Sequence, residues 1–174
     1  ININKNIINL LKKNFPKDGI ISEEFPRIKS KTQYNWYIDP IDGSRNYINK
    51  IPFFSISLAL KKSKDTIAGF VYDPIHNDFY YAFKNKGAYI NKKKIRNKNL
   101  PLNGLMLTET PKKKDKTNIN QNKIARKNFR VRQLGSSVLD MVFVASGKAD
   151  IFWQENLKQW DYESGLLIAK EANK

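Results

Sequence analysis

Asp39 and Asp42 stand three residues apart in the stretch WYIDPIDGSRNY, residues 36 to 47. A strand-like aromatic run leads into them, Pro40 separates them, and Gly43 and Ser44 follow. Asp-Pro and Asp-Gly are ordinary turn signals, so a turn alone would account for the pair. The alternative is a cation site. A divalent ion such as Mg²⁺ takes about six oxygen ligands and keeps some of its waters. The two carboxylates converge if the chain curls between them, and Pro40 restricts φ in a way that helps the curl. The Ile41 carbonyl lies between them as a third hard oxygen. Gly43 and Ser44 would open a short helix through SRNYINK, whose free N–H groups and partial positive charge suit an anion. The Ser44 hydroxyl could orient a water. Together these groups are the equipment for phosphate ester hydrolysis, in which cations activate water and stabilise the leaving oxygen.

Two other acidic places stand out in a chain with 16 acids against 32 bases: Glu23–Glu24, and Asp161 directly after Trp160. Each has a plainer reading. Glu23–Glu24 suits a solvated loop, and Asp161 suits a helix N-cap worth about 1 kcal/mol. Cysteine is absent, which excludes disulfides, thiolate zinc sites and cysteine nucleophiles. The single histidine, His76, excludes multi-histidine metal sites. It falls in the turn-like DPIHND and reads as structural or exposed. Any metal site must therefore be built from oxygen, which favours a hard ion such as Mg²⁺ or Mn²⁺. No Asp-x-Asp or cysteine loop points to a covalent phosphoenzyme.

The elements that must position these acids follow from periodicity. Ile3, Ile7, Ile8 and Leu11 have helical spacing, the helix stops before Pro16, and PKDGIISEEF reads as a turn followed by a short extended piece. Residues 34–39, FFSISLALKK, TIAGFVYDP and DFYYAFKNKGAYI read as strands, with a tight turn at Gly87. LMLTET is a short buried strand, RVRQLG another, and ADIFW a third. SSVLDMVFVASG is a helix with Val138, Met141, Val142 and Ala145 on one side, and DYESGLLIAKEAN opens a second. An antiparallel layer followed by an α/β layer is expected. The division falls near residue 110: an α+β part with the antiparallel sheet and metal loop over 1–110, and an α/β part over 111–174. Residues 111–128 are polar and Lys-rich and read as a linker or surface excursion. The tryptophans and tyrosines at strand spacing are expected in the core.

Formal net charge is +16 among 174 residues. The lysines are scattered apart from small runs at Lys92–Lys94 and Lys112–Lys114, and no aromatic-interleaved basic motif for single-stranded nucleic acid occurs. AT-rich coding, which enriches Lys, Asn and Ile together, explains much of the excess; a general attraction for anions remains. No apolar run approaches the roughly 20 residues of a membrane span. The first residues lack the pattern of a signal peptide, so a cytoplasmic location is expected.

SEEF, WYIDPIDGSRNY and WDYESGLLIAKEA, in that order and spacing, resemble the inositol monophosphatase family of magnesium-dependent, lithium-sensitive phosphatases. FFSISLAL, AGFVYDP, NKGAYIN and RQLGSSVLDMVFVASGKADIFW resemble phrases of its bacterial branch. The resemblance implies a layered αβαβα sandwich, a homodimer, and two or three Mg²⁺ ions, with Mn²⁺ as a substitute. It implies that Glu23 binds metal and helps position the attacking water, and that Asp39, the Ile41 carbonyl and Asp42 are the central metal ligands. Gly43 and Ser44 match the phosphate-binding turn, with Ser44 orienting the water, and Asp161 matches the aspartate that completes the site beside the substrate.

Departures from the family pattern bear on the substrate. Ser22 replaces the glycine before Glu23. Glu163 stands where a small residue is usual, either as a further carboxylate near the metals or as a solvated helix face. Gln154 stands where many inositol phosphatases have a glutamate that accepts hydrogen bonds from ring hydroxyls, and an amide both donates and accepts. Arg45, usually a threonine, either favours a more highly charged substrate or faces solvent. The family continues beyond both ends of this sequence, with a Thr-x-x-Asp segment before and Gly-Gly after. The implied activity is Mg²⁺-dependent hydrolysis of a small polar phosphate ester, inositol 1-phosphate foremost. The alternatives are a nucleotide 3′-phosphatase, a sugar bisphosphatase, or a non-catalytic protein that binds RNA in transcription complexes.

Overall fold

The structure is a computed structural model that describes residues 3–96, 104–108 and 126–173. Helix α1 (Ile3–Asn14) buries Asn4, Ile8 and Leu11 along one stripe, and Lys12 and Lys13 in its last turn suit the negative end of the helix dipole. Strands β1 (Gly19–Ser22), β2 (Phe25–Ile28), β3 (Tyr34–Asp42), β4 (Ser55–Lys62), β5 (Asp65–Asp73), β6 (Asp78–Phe83), β7 (Ala88–Ile90) and β8 (Lys93–Lys94) form one sheet. Its order is β2-β1-β3-β4-β5-β6-β7-β8, with β1 and β3 parallel and every other pair antiparallel. A second sheet of three parallel strands has the order β10-β9-β11, from Arg130–Arg132, Leu105–Thr108 and Ile151–Trp153.

Alternation along β4 shows how the large sheet is used. Ser55, Ser57, Ala59 and Lys61 are buried on one face. Leu58 and Leu60 lie on the other, packed with Ile20, Trp36 and Ile38 beneath α1. The inner face carries Val71, Tyr80, Ala82 and Ala88 against α3 (Ser137–Ala145) and α4 (Gln159–Ala172), whose Val138, Leu139, Val142, Leu167 and Ile168 complete the main core. Helix α3 also contacts β9 and β11 of the small sheet. Among the described residues the layers run α, β, α, β, the order of the expected sandwich. No helix among them is long and apolar enough to cross a membrane.

Helix α4 is seated by direct backbone contact: a Cβ at Gly69 of β5 would lie 2.8 Å from the Ser164 carbonyl oxygen. The Ser57 hydroxyl donates to the Trp160 carbonyl at 3.2 Å and fixes the first turn of the helix over β4. The helix begins at Gln159, two residues earlier than its periodicity predicts. The polar excursion expected over 111–128 lies outside the described residues up to position 125; residues 126–128 form a helical turn.

Candidate active site

Residues three apart on a regular strand point to opposite faces of the sheet. Asp39 and Asp42 do not. In the β3–β4 ladder Asp39 pairs with Ser57 and Asp42 with Ser55, so three steps on β3 match two on β4. The extra residue is a β-bulge at Pro40–Ile41, where proline has no N–H to lose from the ladder. The bulge turns both carboxylates to the inner face, and both are buried. The Ile41 N–H donates to Asp39 Oδ1 at 3.0 Å and the Ser44 hydroxyl to the Ile41 carbonyl at 2.9 Å, which holds the curl. Gly43 then takes φ +90, and α2 (Ser44–Ile48) starts as expected. A Cβ at Gly43 would sit 2.9 Å from the Gly135 carbonyl oxygen, so the left-handed turn and the close approach both require glycine.

Asp42 also meets the N-terminus of α3. Its Oδ2 accepts from the Ser136 hydroxyl and from the Val138 N–H at 2.9 Å, and its Oδ1 accepts from the Ser137 N–H at 3.3 Å. The first two free N–H groups of that helix therefore end on this carboxylate, and the third, Leu139, on the Ser136 hydroxyl oxygen at 3.4 Å. Gln154 lies nearby: the Ser137 hydroxyl donates to its Oε1 at 2.7 Å. Asp161, half-buried in the first turn of α4, is not the N-cap expected: Lys158 takes that place, and Asp161, three residues on, accepts the Lys158 N–H at 2.7 Å while its charge reaches Asp39 and Glu23. Glu23 is exposed directly after β1, and its N–H donates to the Ile38 carbonyl at 3.3 Å, beside Asp39. Arg45 is exposed on α2.

The charges are mutually unfavourable. Burial pushes the Asp39 carboxyl up to about 9, reinforced by Asp42, Glu23 and Asp161. Asp42 is pushed up to about 6 by burial, against the opposing pull of the Ser136 hydroxyl and the Val138 and Ser137 N–H groups. Glu23, exposed at its surface yet partly desolvated by its neighbours, is raised first by that desolvation and then by the charges of Asp161 and Glu24. Asp161 is raised by burial, opposed by the Lys158 N–H. Among the described residues no three acids stand close enough together to hold a cation as they are placed, although Asp42, Glu23 and Asp161 all lie within charge reach of Asp39. The donor set nonetheless suits a hard divalent cation, being made of carboxylate and carbonyl oxygen. The buried Ser55 hydroxyl, opposite Asp42 in register, has no protein hydrogen-bond partner, which leaves a polar atom for a further occupant.

A pH dependence follows. A carboxyl raised above its ordinary value of 3.8 stays protonated in the folded chain where the unfolded chain has already lost the proton. Stability of the metal-free protein should therefore fall as pH rises from about 4 towards 9. Added Mg²⁺ should raise the melting temperature more at pH 8 than at pH 5, by roughly 2–4 °C for each kcal/mol relieved. Thermal melts with and without Mg²⁺ check this, and equal shifts at both pH values would count against a cation among these acids.

Three expectations need correction or detail. Glu163 is neither a further carboxylate of the cluster nor a solvated helix face. It is buried and accepts from Lys61 Nζ and the Thr66 hydroxyl, because the inward alternation of β4 points Lys61 at α4. Ser22 is buried and donates to Asn4 Oδ1 at 3.0 Å, so the residue in place of glycine ties β1 to α1. His76 holds its turn through Nδ1 and Asp73 Oδ2, 2.7 Å apart. The contribution of Ser136 and of α3 was not foreseen. The visible signal was Gly-Ser-Ser between a strand and a helix, an N-cap pattern that could have marked an anion-facing helix start.

Known proteins resemble this chain in sequence and in fold. The chain is 35% identical over 173 residues to the Nus factor SuhB of Haemophilus influenzae, covering 95% of this chain and 65% of that protein. It is 34% identical over 164 residues to the fructose-1,6-bisphosphatase/inositol-1-monophosphatase of Aquifex aeolicus, covering 91% and 62%. The chain thus spans a little under two thirds of the length of these relatives. The crystal structure of the extragenic suppressor protein suhB from Bartonella henselae superposes with a TM-score of 0.92 at 31% identity, covering 98% of this chain and 68% of that one. An inositol monophosphatase structure from Anabaena gives 0.90 at 27% identity, covering 97% and 70%. With its family model matched over residues 1–173, the chain belongs to the inositol monophosphatase family.

Proposed function

We propose that the protein is a metal-dependent phosphomonoesterase that releases inorganic phosphate from a small polar phosphate ester, inositol 1-phosphate foremost. The observation that carries this reading is the bulge in β3. It puts Asp39 and Asp42 on one buried face, within charge reach of Glu23 and Asp161. Two or three Mg²⁺ ions, or Mn²⁺, held by Glu23, Asp39, the Ile41 carbonyl, Asp42 and Asp161, would supply Lewis-acid stabilisation of the leaving oxygen and an activated water. Glu23, with its raised carboxyl, is suited to take the proton of the attacking water, and Ser44 to orient it. Gly43 and the start of α2 receive the phosphate, and Arg45 and Asp161 border the rest of the substrate. The net charge of +16 favours arrival of an anion. A homodimer and a cytoplasmic location belong to the same proposal.

Purified protein incubated with inositol 1-phosphate and other phosphomonoesters should release inorganic phosphate only with Mg²⁺ or Mn²⁺, and Li⁺ should inhibit. No release from any member of the panel with metal present would overturn the proposal. A sugar bisphosphate or nucleotide 3′-phosphate is the second reading, favoured by Gln154. Its Oε1 is taken by the Ser137 hydroxyl, which leaves the amide N–H groups to meet an acceptor. Gln154→Glu should then raise kcat/KM for inositol 1-phosphate relative to a sugar bisphosphate by roughly tenfold. An unchanged ratio would remove Gln154 from substrate selection. Relatives named Nus factor also keep a transcription-complex role open, and RNA binding retained in Asp42→Asn would support it.

A further inference from the structure

We infer that Asn46 is the positioning residue that sets where the Asp42 carboxylate points, by stapling the metal loop to the turn that starts α3. The phosphatase reading underlies only the metal arm of the test below.

Asn46 spends its side-chain amide on two carbonyls. Nδ2 donates to Phe53 O at 2.7 Å, in the connection between α2 and β4. It also donates to Leu134 O at 2.7 Å, 88 residues away in the turn before α3. The backbone beside Leu134 is pressed against the same side chain. Gly135 has φ +89, and a Cβ there would lie 2.7 Å from Asn46 Nδ2. The Gly135 carbonyl in turn closes on Gly43, where a Cβ would lie 2.9 Å away. The two glycine turns therefore meet backbone to backbone, and the Asn46 amide is the hydrogen-bonding group across that contact.

The residue after Gly135 is Ser136, whose hydroxyl donates to Asp42, followed by the Ser137 and Val138 N–H groups that donate to the same carboxylate. A shift of the Leu134–Gly135 turn moves all three donors together. Asn46 touches none of the acids, so it acts on Asp42 only through this turn.

The chemistry is selective. Binding two neighbouring carbonyl oxygens from one atom requires two N–H hydrogens, which a neutral amide has. Aspartate has the same shape and no donor, and would set a carboxylate against both carbonyls. Serine keeps one donor. Asn49, the residue that caps the end of α2, is the internal control: its Nδ2 donates to Arg45 O at 2.8 Å and it is exposed.

The test compares Asn46→Asp, Asn46→Ser and Asn49→Ala by amide hydrogen exchange and by Mn²⁺ titration. Asn46→Asp should speed exchange at the Ser137 and Val138 amides by at least tenfold and weaken Mn²⁺ binding by roughly 10–100-fold, the usual cost of losing a group that orients a metal ligand. Asn46→Ser should show both effects in smaller measure, and it carries the test if the aspartate variant does not fold. Asn49→Ala should leave both readings within about twofold of wild type even where it lowers the melting temperature as much. Wild-type exchange at Ser137 and Val138 in the Asn46 variants, or an equal change in Asn49→Ala, would overturn the inference. Absence of Mn²⁺ binding by the wild-type protein would instead overturn the metal assignment above, and the exchange measurement would still decide Asn46.

Discussion

Asp42→Asn should lower kcat/KM for inositol 1-phosphate by at least about 10²–10³-fold, the scale on which a fixed group that stabilises developing charge acts, while the metal-free fold survives. Two effects oppose each other in that variant. An amide offers one acceptor oxygen instead of two to the Ser136 hydroxyl and the Ser137 and Val138 N–H groups, and an unmatched buried donor costs about 1–3 kcal/mol. The variant also removes a buried charge that its surroundings disfavour. At Asp42 burial outweighs the three donors, since the carboxyl is pushed up to about 6. It further relieves Asp39, whose carboxyl is raised by the Asp42 charge more than by any other neighbouring charge. Metal-free stability near pH 7.5 should therefore change little, whereas the stabilisation by Mg²⁺ should be lost. Phosphate release and paired melts with and without Mg²⁺ read both parts. A variant that keeps near-wild-type turnover would remove Asp42 from the metal set.

Glu163→Ala should cost about 3–5 kcal/mol, because it leaves the buried Lys61 ammonium without its carboxylate. For a chain of this size that is a melting shift on the order of 10 °C. It is a large share of the 5–15 kcal/mol that usually separates folded from unfolded states. A cavity of about 520 Å³ lined by Lys64, Lys84, Leu166 and Lys170, among others, adjoins the pair. Water entering there would bring the cost towards the lower end. Replacing both partners, Lys61→Met with Glu163→Leu, should recover most of the loss, since a packed apolar pair has no charge to desolvate. Glu163 sits two residues after Asp161 on α4, so the single variant should also reduce turnover through a looser first turn. Urea unfolding of the single and double variants distinguishes the cases. A cost below about 1 kcal/mol for Glu163→Ala would mean that the pair behaves as a solvated one.

The fold was legible where a segment is long and periodic: α1, β3 to β6, α3 and α4 follow from apolar spacing. The strands that escaped, β2 and β8, are short and mostly exposed, with no alternation to read. The parallel pairing of β1 with β3 was equally hidden, because partner choice lies outside either segment.

For the site, the types of its groups were written locally. Six residues from Asp39 to Ser44 carry two carboxylates, a carbonyl, a left-handed glycine and a hydroxyl, and oxygen chemistry alone points them at a hard cation and a phosphate. Their convergence was not written there. Asp39 and Asp42 share a face only because β3 gains one residue against β4, and the cost of that bulge is set by pairing with Ser55 and Ser57. Asp42 meets the start of α3, nearly a hundred residues on, only because Asn46 and two glycine turns bring those backbones together. Glu163 shows the converse: its type invited a place in the metal cluster, and the inward alternation of β4 gave it Lys61 instead. Chemical type belongs to the residue, whereas direction and partner belong to the ladder register and helix seating, which long-range contacts decide.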